Sequence, residues 1–147
     1  MKKALGMILL MGAILLAACR GPAATTDSAE TGAAKEVSVE GGTYTLISPD
    51  ELKDMLDEED VTVINVYVPY QGYIAGTDVY IPYNEIDQSL DRLPQDKGVR
   101  IVVYCRSGKM SGAASQTLLG LGYTNIYNLK GGYTAWQAAG YPMAGEE

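Results

Sequence analysis

Ile101-Val102-Val103-Tyr104-Cys105-Arg106-Ser107-Gly108-Lys109-Met110-Ser111 decides how this chain is read. An apolar, β-branched run predicts a buried strand that delivers a cysteine to a short loop holding Gly108 and two cations. Met110, Ala113, Ala114, Thr117, Leu118 and Leu121 then recur at helical spacing. Strand, loop and helix in that order set the thiol where loop N–H groups and a helix N-terminus stabilise a thiolate. The thiolate, not the thiol, is the nucleophile. The chain of 147 residues has no histidine, which excludes Ser–His–Asp and Cys–His catalysis and any His-ligated metal site.

Outward from this segment, short apolar runs alternate with helical patterns. Tyr44-Thr45-Leu46-Ile47 predicts a strand. Ser48-Pro49-Asp50-Glu51 predicts a helix start, with Ser48 as N-cap, Pro49 in the first turn and Glu51 closing a capping box; Leu52, Met55 and Leu56 form the buried stripe. Val61 to Val66 is a nearly continuous β-branched run, as expected of a strand covered on both faces. Val79 to Ile81 predicts a short strand, Asn84 to Leu90 a short helix, Asn125 to Leu129 a last strand and Thr134 to Ala139 a last helix. This alternation predicts an α/β domain over residues 42–147: a small parallel sheet with helices on both faces. Such sheets carry their sites at the carboxyl ends of strands. Cys105 follows such an end.

The N-terminus reads differently. Met1-Lys2-Lys3 precedes an uncharged, mostly apolar stretch to Ala18, shorter than the roughly 20 residues of a membrane-spanning helix. Leu16-Ala17-Ala18-Cys19 resembles the lipobox of bacterial lipoproteins, so residues 1–18 read as a signal peptide and Cys19 as the lipidated residue. Residues 19–41 read as a flexible tether, able to hold the domain roughly 25 Å from the membrane. The expected location is the extracytoplasmic side of a cell membrane. Removing residues 1–18 leaves nine basic residues against 18 acidic ones, a net charge of −9. Nucleic acid and anionic headgroups repel such a domain, so the lipid must supply the membrane affinity. With Cys19 acylated, Cys105 has no disulfide partner, and a lone exported thiol points to chemistry.

Three segments together resemble the rhodanese (sulfurtransferase) family. They are Ile47-Ser48-Pro49-Asp50-Glu51-Leu52, the loop Cys105-Arg106-Ser107-Gly108, and Gly122 to Trp136 with its Gly131-Gly132 pair. The resemblance implies a single rhodanese-like domain in which Cys105 takes a sulfane sulfur from a small anionic donor such as thiosulfate. The resulting persulfide passes the sulfur to cyanide or a thiol acceptor, without cofactor or metal. Arg106 and Lys109 would attract the donor, although Lys109 reads equally well as plain surface charge. Ser107 and Ser111 would donate hydrogen bonds, Gly108 would allow a tight cradle, and Met110 completes the loop while opening the helical stripe.

The chain also departs from that family's usual pattern. Asn65-Val66-Tyr67 stands for a frequent Asp-Val-Arg, and Gly72-Tyr73-Ile74 for a Gly-His-Ile. The segment between them is short, so a helix usual there is expected to be reduced or lost. Tyr67, Tyr70 and Tyr73 become candidates for a neutral pocket rim. These changes keep open a second reading, a catalytically weak, membrane-tethered binding or sulfur-relay module. Loop-thiolate phosphatases place an arginine six residues after the cysteine; Ser111 at that position speaks against phosphate chemistry.

Overall fold

The computed structural model describes residues 34–58 and 60–145. The expected signal peptide, Cys19 and most of the expected tether lie outside the described residues. The strands are β1 (Lys35–Val39), β2 (Gly42–Ile47), β3 (Thr62–Asn65), β4 (Tyr73–Ile74), β5 (Val79–Tyr80), β6 (Ile101–Tyr104), β7 (Ile126–Leu129) and β8 (Met143–Ala144). The helices are α1 (Pro49–Asp57), α2 (Lys109–Gly120) and α3 (Gly132–Ala138), with 3-10 turns at Ile86–Gln88 and Leu90–Arg92 replacing the short helix expected there.

Six strands form one sheet in the order β1-β2-β7-β6-β3-β5, parallel throughout except for β1. Successive side chains on a strand point to opposite faces, and both faces here are covered. Ile64, Ile101 and Val103 pack with Ala114 and Leu118 of α2. Val63, Val102 and Tyr104 pack with Leu52 of α1 and with Tyr133 and Trp136 of α3. The expected α/β architecture with helices on both faces is therefore present. Full burial of a side chain such as Leu52 contributes about 1.5–3 kcal/mol and anchors α1 to the sheet.

Local chemistry starts α1 as its sequence predicts. Ser48 Oγ accepts the Glu51 N–H at 3.2 Å, and Glu51 Oε2 accepts the Ser48 N–H at 2.7 Å. Two N–H groups that the helix itself leaves unpaired are thus satisfied.

Two features differ from expectation. Residues 35–39 belong to an edge strand, not to the tether drawn through residue 41; β1 and β2 form an antiparallel hairpin across Glu40-Gly41. Val37 and Val39 pack against the α2-side core, which supplies the burial that holds this strand. The second feature is a separate two-stranded sheet, in which β4 pairs with β8 near the C-terminus. Between β3 and β4 there is no helix. Asn65 spans that short connection, donating through Nδ2 to the Gly72 carbonyl at 3.1 Å and accepting the Tyr67 N–H at 3.0 Å.

Candidate active site

β6 lies between β7 and β3, and its register delivers Cys105 just beyond the carboxyl end of the sheet. The loop that follows turns directly into α2. Gly108 is the N-cap and has φ +99°, a left-handed conformation that disfavours any side chain. Its N–H donates to Cys105 Sγ at 3.1 Å. The Ser111 hydroxyl stands 3.5 Å from the same sulfur. Burial pushes the Cys105 thiol up, but the Ser111 hydroxyl and the N–H groups of Ser111, Ser107 and Gly108 outweigh it, and the thiol lies below its ordinary value. Directed N–H groups, joined by the Ser111 O–H when its proton is turned to the sulfur, thus do the work that a general base does elsewhere.

The loop is held from beneath by α3. Tyr133 N–H donates to the Cys105 carbonyl at 2.9 Å and Thr134 N–H to the Arg106 carbonyl at 3.1 Å. With these carbonyls tied down, the loop N–H groups are left to face the sulfur. Cys105 itself is 1% exposed, so a reactant has to enter through the loop's mouth.

Beside that mouth opens a cleft of about 850 Å³, walled by Arg106, Tyr70, Gln71, Tyr133 and Gln137. The Tyr67 side chain hydrogen-bonds the Arg106 guanidinium and raises it above its usual value. Tyr67 also meets Tyr133 edge-on, with ring centroids 5.6 Å apart, and Tyr133 Oη donates to Gln71 Oε1 at 3.1 Å. The cleft therefore offers one fixed cation among neutral phenols. Among the described residues no cluster of three or more side chains is suited to ligate a metal ion.

The structure brings Cys105, Ser107, Gly108 and Ser111 together, with Arg106 on the cleft wall and Tyr67 beside it. Lys109 is exposed in the first turn of α2. Met110 and Tyr73 have other neighbours. Met110 packs against the core on the α2 side, because the helix turns its side chain away from the mouth. Tyr73 lines an adjoining cavity of about 170 Å³ with Asn65, Thr77 and Asp78; Tyr70 is shared with the cleft, and the pairing of β4 with β8 sets Tyr73 beside Gly145 of the cleft wall.

Three participants were missed in the sequence. Asn128 of β7 is buried and its Oδ1 accepts the Ser111 hydroxyl at 2.7 Å; an amide between Tyr127 and Leu129 on a buried strand was the available signal. Tyr133 and Gln71 left none, since only the docking of α3 brings them to the cleft.

A cysteine held in an N–H cradle at the carboxyl end of an interior parallel strand defines a loop-thiolate protein. The chain matches the rhodanese-like domain over residues 48–139. It belongs to the rhodanese-like family. It is 34% identical over 96 residues to a sulfurtransferase of Allochromatium vinosum, a match covering 63% of this chain and 87% of that protein. It is 30% identical over 96 residues to the thiosulfate sulfurtransferase GlpE of Pseudoalteromonas translucida, covering 63% and 89%. A rhodanese-related protein of Thermoplasma volcanium superposes with a TM-score of 0.57 at 31% identity, covering 67% of this chain and 95% of that one. The Alr3790 protein of Anabaena sp. gives a TM-score of 0.59 at 28% identity, covering 67% and 80%.

Proposed function

We propose that this protein is a sulfurtransferase that carries a sulfane sulfur on Cys105. The observation that carries the reading is the cradle: a sulfur 3.1 Å from the Gly108 nitrogen, with its thiol lowered by hydroxyl and N–H donors and with an arginine at the entrance. The Cys105 thiolate attacks the outer sulfur of an anionic donor. As the new S–S bond forms, the donor's own bond to that sulfur breaks and the remainder leaves with the electron pair. From thiosulfate the leaving group is sulfite, and the relatives named for thiosulfate support that donor.

The persulfide's outer sulfur carries the negative charge, so the donors that favoured the thiolate stabilise the intermediate as well. A nucleophile then attacks the outer sulfur and Cys105 departs as thiolate. Cyanide becomes thiocyanate; a thiol acceptor becomes a persulfide. The wide, mostly neutral cleft leaves room for an acceptor larger than cyanide. The test is mass spectrometry of the protein after thiosulfate treatment. One added sulfur atom on Cys105, absent in Cys105→Ser, supports the reading; no added mass and no thiocyanate with several sulfane donors sinks it.

The N-terminal reading belongs to the same proposal. Cys19 carries lipid and tethers the domain to the extracytoplasmic face of a membrane. In the producing bacterium Cys19→Ala should release the protein from the membrane fraction, and continued retention would refute the anchor.

A further inference from the structure

Ser111 and Asn128 are both buried, on α2 and β7, at 0% and 2% exposure. The Ser111 hydroxyl has one proton and two claimants for it: Asn128 Oδ1 at 2.7 Å and Cys105 Sγ at 3.5 Å. The shorter contact takes the proton. In this arrangement Ser111 offers the sulfur only a lone pair, which suits a thiol that donates its S–H. A thiolate reverses the demand, because it can only accept. Turning the Ser111 proton toward the sulfur would leave two acceptor oxygens, Ser111 Oγ and Asn128 Oδ1, facing each other 2.7 Å apart. Only an amide can resolve this without ionising, because its other end is a donor.

We propose that Asn128 is a positioning residue whose side-chain amide turns end for end as Cys105 alternates between thiol and thiolate. With Nδ2 presented, Asn128 donates to Ser111 Oγ and Ser111 donates to Sγ. The thiol proton leaves to solvent, and no other proton changes owner. Nδ2 faces Gly112, where an added Cβ would stand in van der Waals contact with it at 3.8 Å and with Tyr44 Oη at 3.5 Å; the glycine's missing side chain leaves that volume beside the amide. The other charged or titratable groups near this cluster are Tyr133 of α3 with Arg106 on the loop, Lys109 in the first turn of α2, Tyr67 beside Arg106, and Tyr44 of β2, whose hydroxyl stands by Gly112 near Nδ2. The neighbour from β7 is Asn128, which has no charge of its own to offer. Its contribution is therefore direction, not charge. This inference rests on the reading of Cys105 as the nucleophile, but its measurements need no sulfur donor.

Two measurements test it. In the unmodified protein, the Asn128 side-chain NH₂ resonances should shift with pH at the same midpoint as the Cys105 Cβ resonance. NH₂ resonances that stay fixed while Cys105 titrates would overturn the proposal. In the second, Asn128→Asp supplies a permanent acceptor and holds the Ser111 proton. Alkylation of Cys105 by iodoacetamide at neutral pH should then fall by about tenfold or more, as for a thiol raised by a unit. A carboxylate also repels the thiolate through space, so the same change is made in Ser111→Ala, where only repulsion remains. A clearly smaller loss there supports the relay, and an equal loss in both backgrounds overturns it. Should Asn128→Asp fail to fold, the resonance titration decides alone. Failure of persulfide formation with normal amide titration would instead count against sulfur transfer.

Discussion

A Cβ on Gly132 would lie 2.2 Å from the carbonyl oxygen of Cys105 and 2.5 Å from that of Arg106. The first residue of α3 thus touches the backbone of the nucleophile loop, at φ +58°. Only a glycine permits both the contact and the conformation. Gly132→Ala should therefore push the loop off α3 and break the Tyr133 and Thr134 hydrogen bonds that hold its carbonyls. The expected result is a loss of about 1–3 kcal/mol of stability, together with a fall in the Cys105 alkylation rate larger than the small unfolded fraction explains. Thermal melts and iodoacetamide kinetics on the same samples check both.

The lowered Cys105 thiol sets a pH profile. Alkylation should rise with pH and level off at a lower pH than for the unfolded chain. Because the folded-state value is depressed, the thiolate's contribution to stability is present above the unfolded value and is lost as pH falls through the folded one. Ser111→Ala removes a donor and should move the profile to higher pH, which a stopped-flow titration of thiolate absorbance measures directly.

Tyr104 has the opposite sign. Its hydroxyl accepts the Ile74 N–H at 3.0 Å and lies 2.8 Å from Thr77 Oγ1, whose own proton goes to the Ile74 carbonyl. The Tyr104 O–H is therefore the donor to Thr77. Burial pushes this phenol up to about 12 from its ordinary 10. The stability it contributes is full below pH 10 and is lost as pH rises toward 12, about 2–3 kcal/mol for a shift of this size. Denaturant titrations at increasing alkaline pH should show the decline. Tyr104→Phe should flatten that part of the pH dependence while costing about 1–3 kcal/mol at neutral pH, because the buried Ile74 N–H loses its acceptor.

Arg106 stands exposed on the cleft wall, next in sequence to Cys105. Arg106→Ala should raise KM for an anionic donor by about tenfold and change kcat much less, as expected when a charge-assisted contact is made equally in ground and transition states. Added salt should shrink the difference. A fall in kcat with KM unchanged would show that Arg106 acts on the sulfur instead.

Ser48→Ala should cost about 1 kcal/mol, since it unpairs the Glu51 N–H and breaks the reciprocal cap. Cys105 lies on another element, so its alkylation profile should stay where it was.

Much of this was legible in the linear chain because it is local. The cap at Ser48 needs only four consecutive residues. The β-branched runs at residues 61–66 and 99–104 declare burial on two faces by composition alone. Cys105, Ser107, Gly108 and Ser111 sit within seven residues, so one strand-to-helix turn assembles them. β1 escaped notice because an edge strand buries only one side: Val37 and Val39 pack inward while Lys35, Glu36 and Ser38 look like tether. Met110 opens the α2 stripe that its spacing marked, and it packs with the core on that side.

The sequence by itself determined the alternation of strands and helices, the position of the thiol at a strand end, and the absence of histidine to activate it. Tertiary structure decided what surrounds that thiol. Asn128 reaches Ser111 across 17 residues because β7 lies beside β6, and Tyr133 reaches Gln71 across 62 because α3 packs under the loop. Tyr73 is set on a cavity adjoining the cleft by a pairing with Ala144 that no local pattern encodes. A hydroxyl or an amide has the same chemistry wherever it stands; which partner claims its proton depends on distances that exist only after the sheet has formed. The nucleophile is therefore a property of the sequence, and its activation a property of the fold.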